Sequence, residues 1–377
     1  MPRPPRRSAR RSPEVSPSAD VQPYAPLPYA SAYHAPVLVE AVVDLLVTDP
    51  AGLYIDGTLG GGGHTAALLD RLGSEGRVIG IDQDDDAIRT ATERIEAREL
   101  QARELQSGHP ASMGSVTVEG SAAAKADPSA PPLSRFTALR GNFEAMPALL
   151  SDAGVATGSV TGILLDLGVS SHQFDVPERG FMFRADGPLD MRMDDRAPQT
   201  AADLVNTLDT QALADLLRAY GEEPRAWRIA QEVARRRPIT TTGDLAAAVR
   251  AAVPTKDEVK SLARVFQALR IAVNDELGVL ERALEASLDV LAIGGRLAVL
   301  SYHSLEDRRV KQFLKAGRLD GVLERDFYGN ALTPWQAVTR KPIEASDAEI
   351  AANPRARSAR LRVAEFVGHP DPKPPPS

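Results

Sequence analysis

The 377-residue chain contains no cysteine. Disulfides, thiolate metal sites and a cysteine nucleophile are therefore excluded. Aromatic residues make up only 5% of the chain, against 43% for all hydrophobic types. That balance suits alanine- and leucine-rich helices covering a sheet better than an all-β sandwich. No apolar run approaches the roughly eighteen residues of a membrane span. The arginine-rich start MPRPPRRSARRSP has no apolar stretch and does not read as a secretory signal. An excess of positive charge is also missing, since the formal net charge is −7. Three local groups run against that total: Arg3–Arg11, Arg225–Arg237 and Arg355–Arg362. They read either as phosphate contacts or as solvated surface.

The chain does hold a regular alternation of apolar strands and amphipathic helices. Residues 1–32, rich in proline, arginine and serine, read as a disordered tail. A helix is expected over Tyr33–Val47, then strands at Leu53–Asp56, Arg77–Ile81, Phe136–Leu139 and Val160–Leu165. Helices at Thr65–Leu72, Ala87–Gln106 and Met146–Asp152 separate them. This spacing means βαβ units and a mainly parallel sheet. Residues 107–134 interrupt the pattern as a flexible insertion.

Between Ala201 and Thr255 the strands disappear and helices are expected over Gln211–Tyr220, Arg225–Arg236 and Asp244–Val253. Thr255 and Glu258 suggest a capping box. Phe266, Leu269, Val273, Leu277, Leu280, Leu284, Leu288 and Leu291 then predict one long helix with a buried stripe, ended by Gly294–Gly295. Leu297–Leu300 reads as a strand, Ser304 as the cap of helix Leu305–Leu314, and Ala359–Phe366 as a late edge strand. The division is 33–200 and 265–370 for a sheet domain, with 201–264 as an inserted helical one.

The strongest local signal is Tyr54–Ile–Asp–Gly–Thr–Leu–Gly–Gly–Gly–Gly–His64. A strand delivers Asp56 to the carboxyl edge of the sheet, and glycines without Cβ atoms let backbone approach a flat ligand. Asp56 itself is placed to meet a cationic or amino-bearing ligand. The next strand ends at Asp82, about twenty residues on, where a carboxylate accepts ribose hydroxyls. This pattern suits any ribose-bearing cofactor, and a dinucleotide stays a rival reading. No GKS/T follows the glycines, which argues against a nucleotide triphosphate.

Asp166–Gln173 and Glu178–Asp194 form the substrate side, a segment long for a core loop. Phe181, Phe183, Met191 and Met193 read equally as a pocket or as a small core pinning the loop. Asp190 and Asp194 are the one candidate acidic metal pair. Without a histidine cluster beside them no metal is expected. His303 with Ser304 and Asp307 lacks a nucleophile-elbow pattern and reads as structural.

Together these motifs resemble one bacterial family, the methyltransferases of the N4 amine of a cytidine in the decoding region of small-subunit ribosomal RNA. The matching pieces are His34–Leu38, Asp56–His64, Asp82–Asp84, Asp166–Gln173, Arg179–Asp194, Tyr220–Glu223, Phe266–Leu277, Ser301–Arg308, Lys341–Pro342 and Asn353–Ala359. They span about residues 33–366. Lys260–Val265 departs from the His-Pro-Ala-Thr-Arg-like run usual there, and Tyr302 stands for a frequent Phe.

The resemblance implies a class I methyltransferase α/β fold, Rossmann-like, with an inserted small all-helical domain that recognises the substrate. It implies S-adenosylmethionine held by Gly62, Gly63, His64, Asp82, Phe143, Asp166 and Gln173, with Phe143 beside the adenine. Asp166 is the first candidate for the catalytic acceptor near the amine, with Asp190 and Asn274 behind it. The implied partner is 16S ribosomal RNA in the small ribosomal subunit, in the cytoplasm and without a membrane. A homodimer stays open. Transfer to an exocyclic amine needs no enzyme thiolate, whereas attack through C5 of cytosine does, and the chain has none. A binding-only protein of the same fold, or an NAD-dependent dehydrogenase, are the competing readings.

Overall fold

A computed structural model describes residue 29 and residues 36–107, 134–168 and 176–369. The N-terminal tail other than Tyr29, nearly all of the 107–134 insertion, and Gln173 lie outside the described residues. Five strands form the parallel part of the sheet: β1 (Leu53–Asp56), β2 (Arg77–Asp82), β3 (Phe136–Arg140), β4 (Val160–Asp166) and β5 (Leu291–Ser301). A short hairpin, β6 (Glu324–Arg325) and β7 (Ala331–Leu332), is separate. β8 (Trp335–Ala337), β9 (Ile343–Glu344) and β10 (Arg360–Phe366) complete the main sheet.

The strand order is β3-β2-β1-β4-β5-β10-β8, with β9 also paired to β10. β10 is antiparallel to β5. The architecture is α/β and Rossmann-like, as expected for a class I methyltransferase. The inner strands read as unbroken apolar runs because both faces are covered: Tyr54, Ile55, Ile81, Ile163 and Leu164 are fully buried. Helix Val39–Leu46 packs on one face. Helices Met146–Asp152, Glu276–Val290 and Ser304–Ala316 pack on the other. Strand order reverses between β1 and β4, and ligands of such sheets bind outside the strand carboxyl ends at that reversal.

Four helices, Ala201–Thr207, Thr210–Gly221, Ala226–Arg236 and Thr242–Ala252, build a separate hydrophobic cluster. That cluster reaches beyond 201–264. It takes in Phe181, Leu189 and Met191 on one side and Phe266 and Leu269 on the other.

Several expected elements differ. The long helix is two, Glu258–Asn274 and Glu276–Val290, because Asp275 takes a left-handed conformation at φ 47. The break lets one apolar stripe change partners. Phe266 and Leu269 face the helical cluster, while Leu280, Ala283 and Leu284 face the sheet. Gly294 and Gly295 lie inside β5, where pairing with β4 shifts register, and do not end a helix. Thr255–Asp257 is a 3₁₀ turn, and no side chain caps the helix that follows. The cap before Ser304–Ala316 is His303, in a capping box with Glu306. Ser304 instead donates to Glu222 (3.0 Å). β10 is no edge strand: it is paired on both sides and buries Leu361, Val363 and Ala364.

Candidate active site at the carboxyl ends of the central strands

The glycine turn is anchored from below. Gly57 N donates to Leu164 O (2.9 Å) and Leu59 N to Ile81 O (3.0 Å), tying the turn to β4 and β2. Gly60 (φ +48) and Gly62 (φ +69) adopt left-handed conformations that any side chain would strain. At Gly62 a Cβ would also lie 3.1 Å from Ala91 Cβ, so this glycine packs against helix Asp85–Ser107.

Above the turn lies a cavity of about 350 Å³, a size within the range of ligand sites. Gly60, Gly61, Gly63, His64, Asp82, Phe143 and Asp166 all line it. The structure thus brings together five of the predicted cofactor residues: Gly63, His64, Asp82, Phe143 and Asp166. Gly62 is behind the turn rather than in the wall.

Asp56 does not meet the cavity. It is buried beneath the turn, where Oδ2 accepts the Thr65 hydroxyl (2.7 Å) and Oδ1 accepts Thr58 N (3.3 Å). Burial pushes its carboxyl above the usual range, against the opposing pull of His64. Its work is to hold the glycine turn, and the expectation of direct pairing with a ligand is corrected.

Asp82 Oδ2 accepts Gly60 N (2.8 Å) and Oδ1 accepts Asp84 N (3.0 Å). Each oxygen keeps a lone pair. Burial pushes this carboxyl up to about 6, and the two backbone donors only partly offset that. It is an acid short of donors, as a site for sugar hydroxyls should be.

Asp166 is held by three residues. Thr58 Oγ1 accepts its backbone N–H (2.7 Å), Tyr302 donates its hydroxyl to Oδ1 (2.7 Å), and His64 Nδ1 lies 3.5 Å from Oδ2. His64 Nε2 is 2.9 Å from Val37 O, and a carbonyl only accepts, so that ring nitrogen carries a hydrogen. Burial raises the Asp166 carboxyl, opposed by His64 and the Tyr302 hydrogen bond.

The other two catalytic candidates stand in the scaffold of the substrate loop. Asn274 uses its whole amide there: Oδ1 accepts Met193 N (2.7 Å), and Nδ2 donates to Met191 O (2.8 Å) and Arg270 O (2.9 Å). Asp190 binds Arg192 through both oxygens (2.8 and 2.7 Å), and Asp194 binds Arg196 likewise (both 2.9 Å). Each carboxylate of the expected acidic pair is therefore engaged by its own arginine. Arg179 pins the same loop to the cofactor side, donating to Met193 O (3.1 Å) and Asp84 Oδ2 (3.3 Å). Phe181 and Met191 are core, Phe183 packs edge-on against Phe266, and only Met193 of the four reaches the cavity.

Thr58, Asn142, Arg270, Tyr302 and Arg355 also line the cavity. Nothing in the sequence singles out Arg270, which sits in an amphipathic helix like any surface arginine. In the structure its guanidinium binds Glu276 through two nitrogens (2.8 and 2.9 Å). Glu276, His303 and Glu306 gather ligand-type atoms within 4.8 Å of one another, but that arginine already supplies the positive charge.

The Arg3–Arg11 group lies outside the described residues, and in the other two groups several arginines are in ion pairs. Arg225 pairs with Asp257, Arg235 and Arg236 share Glu232, and Arg360 and Arg362 share Asp307. Among the described residues no helix is long and apolar enough to cross a membrane.

The donor set fits S-adenosylmethionine. It offers a donor-poor carboxylate for a ribose, Phe143 and Asn142 beyond it for a base, and a second carboxylate, Asp166, for a cation.

Comparison with known proteins agrees. The "Ribosomal RNA small subunit methyltransferase H" of Chlorobaculum parvum is 47% identical over 88% of this chain and 97% of its own length. The Heliobacterium modesticaldum protein of the same name is 44% identical over 89% and 99%. That of Symbiobacterium thermophilum is 44% identical over 88% and 96%. Residues 31–367 match the MraW methylase family, and the chain belongs to it.

Proposed function

We propose that this chain methylates the N4 amine of a cytidine in 16S ribosomal RNA of the small ribosomal subunit, using S-adenosylmethionine. The observation that carries the reading is one cavity walled by Asp82 and Asp166, at the ends of strands either side of β1. The names and coverage of the relatives support the RNA substrate.

When bound, S-adenosylmethionine supplies an already activated methyl group. The protein's task is then to orient the amine, exclude water and accept a proton. Asp82 would take the ribose hydroxyls, Phe143 would lie beside the adenine, and Gly63 and His64 would flank the amino-acid end. Gly62 acts by shaping the turn. Gln173, outside the described residues, is assigned to the same cofactor by the family motif. Asp166 is the acceptor facing the amine. Asn274 and Asp190 act by fixing the loop that ends at Met193. The inserted helical block, 201–264, would recognise the RNA around the target cytidine. The base must leave its stack to reach such a cavity. The reaction belongs to the cytoplasm, where small subunits are assembled.

A dinucleotide is less suited. The Gly60 N–H that a pyrophosphate would use is bonded to Asp82, and Asp56 adds a second carboxylate below the turn. The test is to incubate purified small subunits with labelled methyl donor and map the product nucleoside. N4-methylcytidine is expected. Label at C5, or in protein, would overturn the proposal.

A further inference from the structure

Tyr302 closes the side of the cavity next to Asp166, and its position is fixed from both ends. Its backbone N–H donates to Glu306 Oε2 (2.8 Å), part of the capping box that opens helix Ser304–Ala316. Its hydroxyl donates to Asp166 Oδ1 (2.7 Å). The ring stands beside Gly168, where a Cβ would lie 3.7 Å from Tyr302 Cδ2. Phenylalanine would fill the same space and lose only the hydroxyl.

We propose that Tyr302 is a positioning residue for Asp166, holding one carboxylate oxygen so that the other is presented, ionised, to the cationic donor and the reacting amine. The proposal rests on the methyltransferase reading above. Asp166 sits almost wholly out of solvent, an environment that favours the neutral acid. The titratable and charged groups facing it are His64, Tyr302, Asp56 and Glu306. Asp56 and Glu306 oppose ionisation, while His64 and the Tyr302 hydroxyl favour it. The phenol is a donor held in place, because burial and the neighbouring carboxylate keep its own proton on well above the usual range. Oδ1 takes the phenol's hydrogen bond, and Oδ2, 3.5 Å from His64 Nδ1, keeps lone-pair capacity toward the cavity. The proton step balances simply. An N–H bond of the methylated amine breaks and leaves its electron pair on nitrogen, and the Asp166 carboxylate becomes a carboxylic acid.

The test compares binding of S-adenosylmethionine, a sulfonium cation, with that of S-adenosylhomocysteine, its neutral thioether, across pH in the full chain. An ionised Asp166 favours the cation, so the ratio of the two affinities should fall as Asp166 protonates. Asp82 acts on both ligands alike and cancels in the ratio. Tyr302→Phe should shift that fall upward by about one pH unit, the scale of one hydrogen bond to a charged group. The acidic limb of kcat should move with it, while S-adenosylhomocysteine affinity at pH 8 stays near wild type and the melting temperature falls by only a few degrees, the cost of about 1.4 kcal/mol that the same pKa shift implies. Asp166→Asn should give a ratio independent of pH. A Tyr302→Phe profile that overlays wild type, or a uniform drop in kcat without a shift, would overturn the proposal. A wild-type chain that binds neither ligand would instead overturn the methyltransferase reading beneath it.

Discussion

Affinity for S-adenosylhomocysteine should rise about ten-fold between pH 5 and pH 8, and Asp82 should be the cause. Its carboxyl is pushed up to about 6 by burial in the free protein. At pH 5 only roughly a tenth of such a group is ionised, and at pH 8 nearly all of it is. Ribose hydroxyls donating to the carboxylate favour the charged form, so the bound protein holds this proton less tightly than the free one. Binding therefore expels a proton below pH 6, and affinity weakens as pH falls through that value. A ten-fold change is about 1.4 kcal/mol. Calorimetry in buffers of different ionisation enthalpy reads both the affinity and the proton released, which should approach one per site at pH 5. Asp82→Asn should flatten the dependence. It should also weaken binding at pH 8 by about 1.5–3 kcal/mol, the range for hydrogen bonds to charged groups. A wild-type affinity that is flat across this range, or an Asp82→Asn variant that keeps the slope, would refute the assignment of this carboxylate to the sugar.

Three further substitutions test neighbouring parts. Arg270→Ala strands the Glu276 carboxylate, which is bonded to it through both oxygens in a part-buried position; chemical denaturation should show a loss of about 3 kcal/mol, the low end of the range for a buried pair that loses one partner. Adding Glu276→Gln should recover part of that loss. Asn274→Ala removes the partners of Met193 N and Met191 O, so stability should fall by about 1–3 kcal/mol per stranded group. In that variant methyl transfer should drop, while titration shows S-adenosylhomocysteine affinity nearly unchanged, because the loop and not the cofactor wall has been loosened. Phe143→Ala should weaken S-adenosylhomocysteine by about 1–3 kcal/mol, the usual scale of base–aromatic stacking, with little change in its pH dependence.

The substrate loop gives a physical reason for placing Asp166 ahead of Asp190 and Asn274 as a catalytic candidate. Asp166, Asp190 and Asn274 are all polar residues in segments rich in motif, and composition treats them alike. What separates them is which hydrogen-bonding atoms are already used. Asn274 spends its whole amide on the loop backbone and Asp190 spends both oxygens on Arg192, whereas Asp166 keeps capacity beside the cavity. The same holds for the arginines. Arg360 and Arg362 look like a basic patch in sequence, yet alternate positions of β10 bring both to Asp307 on helix Ser304–Ala316.

By itself the sequence determined the parallel α/β core, the glycine turn after β1 and the acid at the end of β2. Buried strands and amphipathic helices have periods that local sequence must obey, and a left-handed turn demands glycine locally. Tertiary structure alone decided that Asp56 faces inward, that Asp275 splits one periodic stripe into two helices, and that β10 is interior. It also brought Arg270, Tyr302 and Arg355 to one cavity from distant parts of the chain. These outcomes depend on which surfaces meet across long sequence separations, and no local period encodes that.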